Sequence, residues 1–307
     1  MNFDEELTLL SDGQIWGNNN ESQLKVIRKY GTKAAITDLC VLTGCYAWED
    51  TDHHTLTGCF WTSSGDGNDV CAVYVDGSRH CAFRFRRTLI IRPILQSSKI
   101  FSLIFPNRVR GYNGTKVVEY GEYPQNVADS RMQNILESNY NYRDRALNKT
   151  GGSYTFDSVG ADEHEMGFKP VTYEEYEYQG KKYIRIKVNS NLLGSFKLLN
   201  GDIYMSGDYV WVEVSPVKWL IDKRTKTLVS EVGLLSGIRY NAYNRGYDGD
   251  FSNTEMKEFL DKYMLRDLTQ TVTLAHIQNM VPVEKNQFEE EHKQKKQKVK
   301  KKQLMVR

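Results

Sequence analysis

Five cysteines stand in the first third of this 307-residue chain, at Cys40, Cys45, Cys59, Cys71 and Cys81, with His53, His54 and His80 among them. Thiolate and imidazole are the ligand set of a structural zinc site. The spacing argues otherwise: no Cys-x-x-Cys pair occurs, and Cys40 to Cys45 is not a usual ligand interval. An odd count also fits a disulfide framework poorly, so these residues are expected to be small apolar core side chains. Two acidic phrases, Asp162-Glu163-His164-Glu165 and Asp248-Gly249-Asp250, carry oxygen ligands for a cation. The first sits in a polar, glycine-flanked setting that reads as a solvated loop, and the second lacks the remainder of a calcium loop. No phosphate-cradling glycine loop, nucleophile elbow or His-Glu-x-x-His occurs. The expectation is a chain without a catalytic residue, metal or cofactor.

Recognition chemistry is better represented. Ser138 to Asp144 and Arg239 to Asp250 are built from Tyr, Asn, Arg, Gly and Asp, the residues of paratopes, where rigid amphipathic rings give contact area and polar groups adapt. Tyr140, Tyr142, Arg143, Arg239, Tyr240, Tyr243, Arg245 and Tyr247 are therefore the candidate partner-binding residues, against the alternative of two ordinary exposed loops. His80, Arg84 and Arg86, with Arg87 adjacent, form a basic face on an alternating strand. Such a face either guards a sheet edge or docks an acidic partner or a nucleic-acid backbone. Lys293, Lys295, Lys296, Lys298, Lys300, Lys301 and Lys302 crowd a tail suited to non-specific, salt-sensitive nucleic-acid contact, either as a solvated helix or disordered. Residues 284–307 hold nine Lys/Arg and four Asp/Glu, which leaves the body 32 basic and 35 acidic of the chain's 41 and 39. The body is thus no generic polyanion binder.

These residues need a frame, and the frame reads as β-rich. Val70 to Val75, the turn Asp76-Gly77 and the return strand His80 to Arg86 spell a hairpin, in which Cys81, Phe83 and Phe85 alternate with the basic residues. Tyr173 to Val188 spells a second, turning at Gln179-Gly180, with Ile184, Ile186 and Val188 on one face. Val117 to Gln125 reads as a strand, and Tyr209 to Ile221 as an apolar strand bent at Pro216. Ser22 to Tyr30 reads as a short helix; Ile36 to Cys45 is a buried strand or a helix ending at Gly44. Ser252 to Leu265 is the clearest helix, with Ser252 and Glu255 as a capping box and Met256, Phe259, Leu260, Tyr263 and Met264 on one face. The N-terminus lacks a basic-then-apolar signal, and no apolar run is long enough to span a bilayer, so a cytoplasmic protein is expected.

A strand Trp61-Thr62-Ser63-Ser64, the tyrosine strand ending at the Asp-Gly turn, and the closing Ile91-Arg92-Pro93-Ile94-Leu95 together resemble the end of a bacterial and phage domain family of unknown function. The phrase Gly121-Glu122-Tyr123-Pro124-Gln125, and a Trp strand followed by Leu234-Leu235-Ser236, resemble its opening and middle. That family is similar to the formylglycine-generating-enzyme branch of the C-type-lectin-like fold. The motifs stand in permuted order here, the closing one first. The resemblance implies an α+β, β-rich lectin-like frame: a hairpin unit over 1–105 ending in Arg-Pro, a second α+β unit over 106–283, and the tail over 284–307.

The function it implies is a non-catalytic intracellular binding protein, encoded by a phage or mobile element, that docks on a host protein. A concrete form is an inhibitor of a nucleic-acid-guided defence nuclease such as a CRISPR effector, with the lysine tail competing for the nucleic-acid channel and no membrane involved. One alternative is a phage or cell-surface module recognising a glycan or other ligand. Another is a copper-dependent cysteine oxidase, since formylglycine-generating enzymes use a close pair of copper-binding cysteines near the end of the domain. Cys71 and Cys81 lie in roughly that region but ten positions apart, so no copper is expected.

Overall fold

The computed structural model describes residues 5–9, 36–43, 59–66, 69–74, 79–84, 90–97, 100, 117–143, 145–157, 168–188, 195–198, 202–205, 207–222, 226–241 and 246–272. The protein is β-rich, with a large antiparallel sheet and a few short helices. The main sheet begins with β1 (Glu6–Thr8) and β5 (Ile94–Gln96), continues through β13 (Thr227–Ser230), β12 (Tyr209–Asp222), β9 (Lys181–Lys187) and β8 (Pro170–Tyr178), and ends at β7 (Asn148–Asp157); β6 (Val117–Val127) pairs with β12. A separate three-stranded sheet holds β2 (Cys59–Asp66), β3 (Asp69–Tyr74) and β4 (Arg79–Arg84), and β10 (Ser195–Lys197) pairs with β11 (Ile203–Met205). Among the described residues, no helix is long and apolar enough to cross a membrane.

Local chemistry explains the hairpins. Gln179 and Gly180 both take positive φ, 51° and 78°, the geometry whose twist matches flanking strands, and β8 and β9 pair across them. Ile184, Ile186 and Val188 then enter the core as the alternation requires. The β3–β4 pairing also stands, with Cys71 and Cys81 as Cα partners, while Asp76-Gly77 lies outside the described residues. Strand β12 bends where Pro216 cannot donate to the ladder, and the β6 register shifts on both sides of it. Beside the bend, the Gln125 side-chain amide donates to Ser215 O at 2.9 Å and to Pro216 O at 3.1 Å.

Strands from the first 105 residues are sewn into the same sheet as the later ones, and one core runs from Leu7 to Leu268. Arg92 is the main stitch. It is 3% exposed, and its guanidinium donates to Ser230 O and Glu231 O, both at 2.8 Å. Burial depresses its pKa to about 10, partly offset by Glu231. Ile36 bridges Gly233, and the short helix α1 (Asp38–Leu42) follows, fully buried, so both readings of that stretch are met in part.

The best-read helix differs in its ends. Ser252 belongs to a 3₁₀ turn over Phe251–Asn253 capped by Asp250, and Thr254 is the true cap of α3 (Glu255–Phe259), accepting from Lys257 N at 3.1 Å. The Asp250 carboxylate claims Ser252 first, so the expected Ser252–Glu255 box does not form. The helix also runs on past Leu265, through a π turn (Leu260–Met264) into α4 (Leu265–Thr269). The buried positions explain the π turn. Met256, Leu260, Met264 and Leu268 recur every fourth residue, which in an ideal α-helix would drift by about 40° per step. One wider turn removes the drift and keeps all four on the core.

That phase also buries Asp267, which accepts the Thr155 N–H and is held by Arg266 Nε at 2.8 Å. Desolvation raises its pKa from 3.8 to about 6, against the opposing pull of those two partners. Between these values the folded state keeps a proton that the unfolded chain has released. Stability therefore falls as pH rises from about 4 to about 6 and stays lower above, by on the order of 3 kcal/mol. Asp267→Asn keeps the acceptor for Thr155 and is expected to flatten that limb. Thermal melts between pH 4 and 7.5 check it; an unchanged pH slope in the variant would contradict the assignment.

Candidate functional site

Helix α2 (Ser130–Tyr142) lies on the face of the sheet opposite the main core. Asp129 caps it, accepting from Met132 N at 2.9 Å, and Arg143 ends it in the left-handed region at φ 53°. Alternation along β12 supplies the floor: Val210, Val212 and Val214 enter the main core, whereas Trp211 turns the other way to pack with Leu136, Ala128 and Tyr183. Gln133 brackets the backbone of Trp211, accepting its N–H at 2.8 Å and donating to its carbonyl at 2.6 Å.

On this floor stands a hydrogen-bonded polar group built from Arg185, Glu137 and Trp211. Alternation along β9 sends Arg185 to the α2 face, where Glu137 holds it through two hydrogen bonds of 2.8 and 2.6 Å. The same carboxylate accepts from Trp211 Nε1 at 3.0 Å. The Arg185 hydrogen bond, with lesser help from Trp211, holds the Glu137 carboxyl below its usual pKa, and Glu137 in turn raises that of Arg185. Two tyrosine rings flank the guanidinium, Tyr209 at 3.7 Å and Tyr140 at 4.6 Å. Tyr140 is braced edge-on by Trp211 and Tyr176. Tyr140, Tyr209 and Tyr142 nevertheless remain 38%, 51% and 84% exposed. The arrangement is an aromatic platform whose Arg185 and Glu137 charges neutralise each other. It offers contact area and hydrogen bonds.

The predicted site residues divide sharply. Tyr140, Tyr142 and Arg143 are exposed at one place, on a helix end rather than on a loop. Arg239, Tyr240 and Tyr247 are buried, at 6%, 0% and 6% exposure, which removes them from any display surface. Tyr240 packs against Trp61, Tyr247 and Phe251 with ring centroids 5.2–5.6 Å apart. Asn241 closes the segment by donating to Gly246 O and accepting from Glu255 N. Tyr243, Arg245, Arg86, Arg87 and the seven tail lysines lie outside the described residues; His80 and Arg84 sit on β4. Sequence reasoning missed Arg185, Glu137 and Tyr209. The one available signal was the alternation that, by placing Ile184 and Ile186 inward, turns Arg185 outward.

The metal candidates resolve differently. Asp248 and Asp250 spend their carboxylates on the turn itself, accepting from Asp250 N and Ser252 N at 2.9 Å each. Cys40 is fully buried, and desolvation pushes its thiol up to about 12, so it stays protonated as an inert core residue. Cys45, His53, His54 and Asp162 to Glu165 lie outside the described residues. Among the described residues, no group of three or more His, Cys, Asp or Glu is arranged to hold a metal ion. No family model matches the chain, and comparison with curated proteins and with solved structures gives no match to either.

Proposed function

We propose that this chain is a non-catalytic protein-binding protein whose contact surface is centred on the end of α2. The observation that carries the reading is Arg185, locked by Glu137 between the exposed rings of Tyr140 and Tyr209. Side chains already frozen in place lose little entropy on association, and Tyr and Arg are the residues that dominate interface energies.

The finer form of the reading is a lectin-like frame of phage or mobile-element origin that docks on a host protein, a nucleic-acid-guided defence nuclease being the concrete candidate. The motif resemblance and the lysine-rich tail support that form, and the platform is a surface of the kind such a protein contact would use. A tagged full-length protein is expected to retain a stoichiometric protein partner through washing. Tyr142→Ala/Tyr209→Ala, which removes an exposed ring and the half-exposed ring over Arg185, should weaken that complex about 30-fold or more while costing the fold only about 1 kcal/mol. Full retention by the double variant, or the absence of any stoichiometric protein partner, overturns the proposal.

A further inference from the structure

Among the described residues, the two ends of the main sheet are unlike. Strand β1 is three residues long and is tied down by Lys257, which donates to Glu6 and to Leu7 O. Strand β7 is ten residues long, and its stretch Thr150 to Phe156 (TGGSYTF) contains neither charge nor proline, the two usual guards of an open edge. Three of its outward backbone groups are nonetheless occupied, the N–H and C=O of Ser153 and the N–H of Thr155. Ser153 donates to Gln270 Oε1 at 3.0 Å and accepts from Gln270 Nε2 at 2.9 Å. Thr155 N–H goes to Asp267, and Arg266 Nη2 donates to Thr155 Oγ1 at 2.8 Å. One amide side chain therefore meets both backbone groups of Ser153, as a neighbouring strand would.

We infer that Gln270, Asp267 and Arg266 act as a side-chain stand-in for a neighbouring strand, and that β7 beneath them is a pairing surface for the β7 of a second copy of this chain once the cover is lost. The occupant follows from the strand itself. Two copies related by a two-fold axis present the same N–H and C=O groups to each other in antiparallel register, and a neutral stretch sets no like charges face to face. The π turn belongs to the device, because it sets the phase that keeps Leu268 on the core while Asp267 meets the edge.

The test is Arg266→Ala/Gln270→Ala in the full-length chain, read by amide hydrogen exchange and sedimentation equilibrium against wild type. The Ser153 amide is expected to exchange about tenfold faster or more. The average mass should climb with concentration toward a dimer, and adding Ser153→Pro should restore the wild-type mass because pairing needs that N–H. A variant that keeps the wild-type mass at every concentration overturns the inference, as does association that survives Ser153→Pro. Should the double variant lose its fold, Gln270→Ala alone, at an exposed position, gives the same readout with the same two opposing outcomes.

Discussion

Gly237→Ala is expected to cost more than about 3 kcal/mol and to leave little folded protein at 37 °C. Gly237 sits at φ +82°, where an L side chain is strained, and a Cβ there would collide with the backbone carbonyl of Thr43. The collision cannot be relieved locally. Thr43 and Ser236 share hydroxyl and amide hydrogen bonds, Ser236 Oγ donates to Cys40 O at 2.6 Å, and Thr37 Oγ1 donates to Leu234 O at 3.1 Å. The stretch Leu234 to Gly237 is thus the dock for α1, and moving it unseats a fully buried helix. Gly180→Ala is the matched control: its φ is +78°, yet nothing lies within 4 Å of the added carbon. It should cost only about 1 kcal/mol. Equal losses in both variants would show that conformation alone, not the dock, sets the cost.

Arg92→Ala should lower stability by roughly 3–5 kcal/mol, or about 5–8 °C in Tm for a chain of this size. Its two hydrogen bonds are charge-assisted, and their loss strands the Ser230 and Glu231 carbonyls at the seam between β5 and β13. Arg92→Lys tests the geometry rather than the charge. Arg92 reaches the two carbonyls with two separate nitrogens, Nε and Nη2, in one plane, whereas a lysine must reach both from a single nitrogen on a differently shaped stem, so the lysine variant should recover less than half of the loss. Thermal melts of the three proteins decide it, and a lysine variant as stable as wild type would contradict the forked role.

The parts of this fold that announce themselves in sequence are those settled over a few neighbouring residues. The Gln179-Gly180 turn and the alternation after it declare a hairpin because turn and strand chemistry are local. Pro216 declares the bend in β12. The four-residue spacing of Met256, Leu260, Met264 and Leu268 carries the π turn, though it passes easily for an ordinary amphipathic stripe. What joins distant segments is not written locally. Glu137 meets Arg185 across 48 positions, and Arg92 meets Ser230 across 138. The segment from Arg239 misleads because tyrosine, asparagine and arginine compose a buried, hydrogen-bonded knot as readily as a binding loop; burial of Tyr240 against Trp61 decides between them. Half of the candidate site was readable for the same reason: Tyr140 and Tyr142 belong to a suggestive phrase, while Arg185 and Tyr209 gain meaning only beside them.

The central claim is that recognition belongs to the platform at the end of α2. Amide exchange on the full-length protein, with and without its captured partner, tests it most directly. Slowed exchange confined to Asn139–Arg143 and the start of β12 around Tyr209 is the predicted result. Slowing that leaves those segments untouched and falls elsewhere on the chain would contradict it.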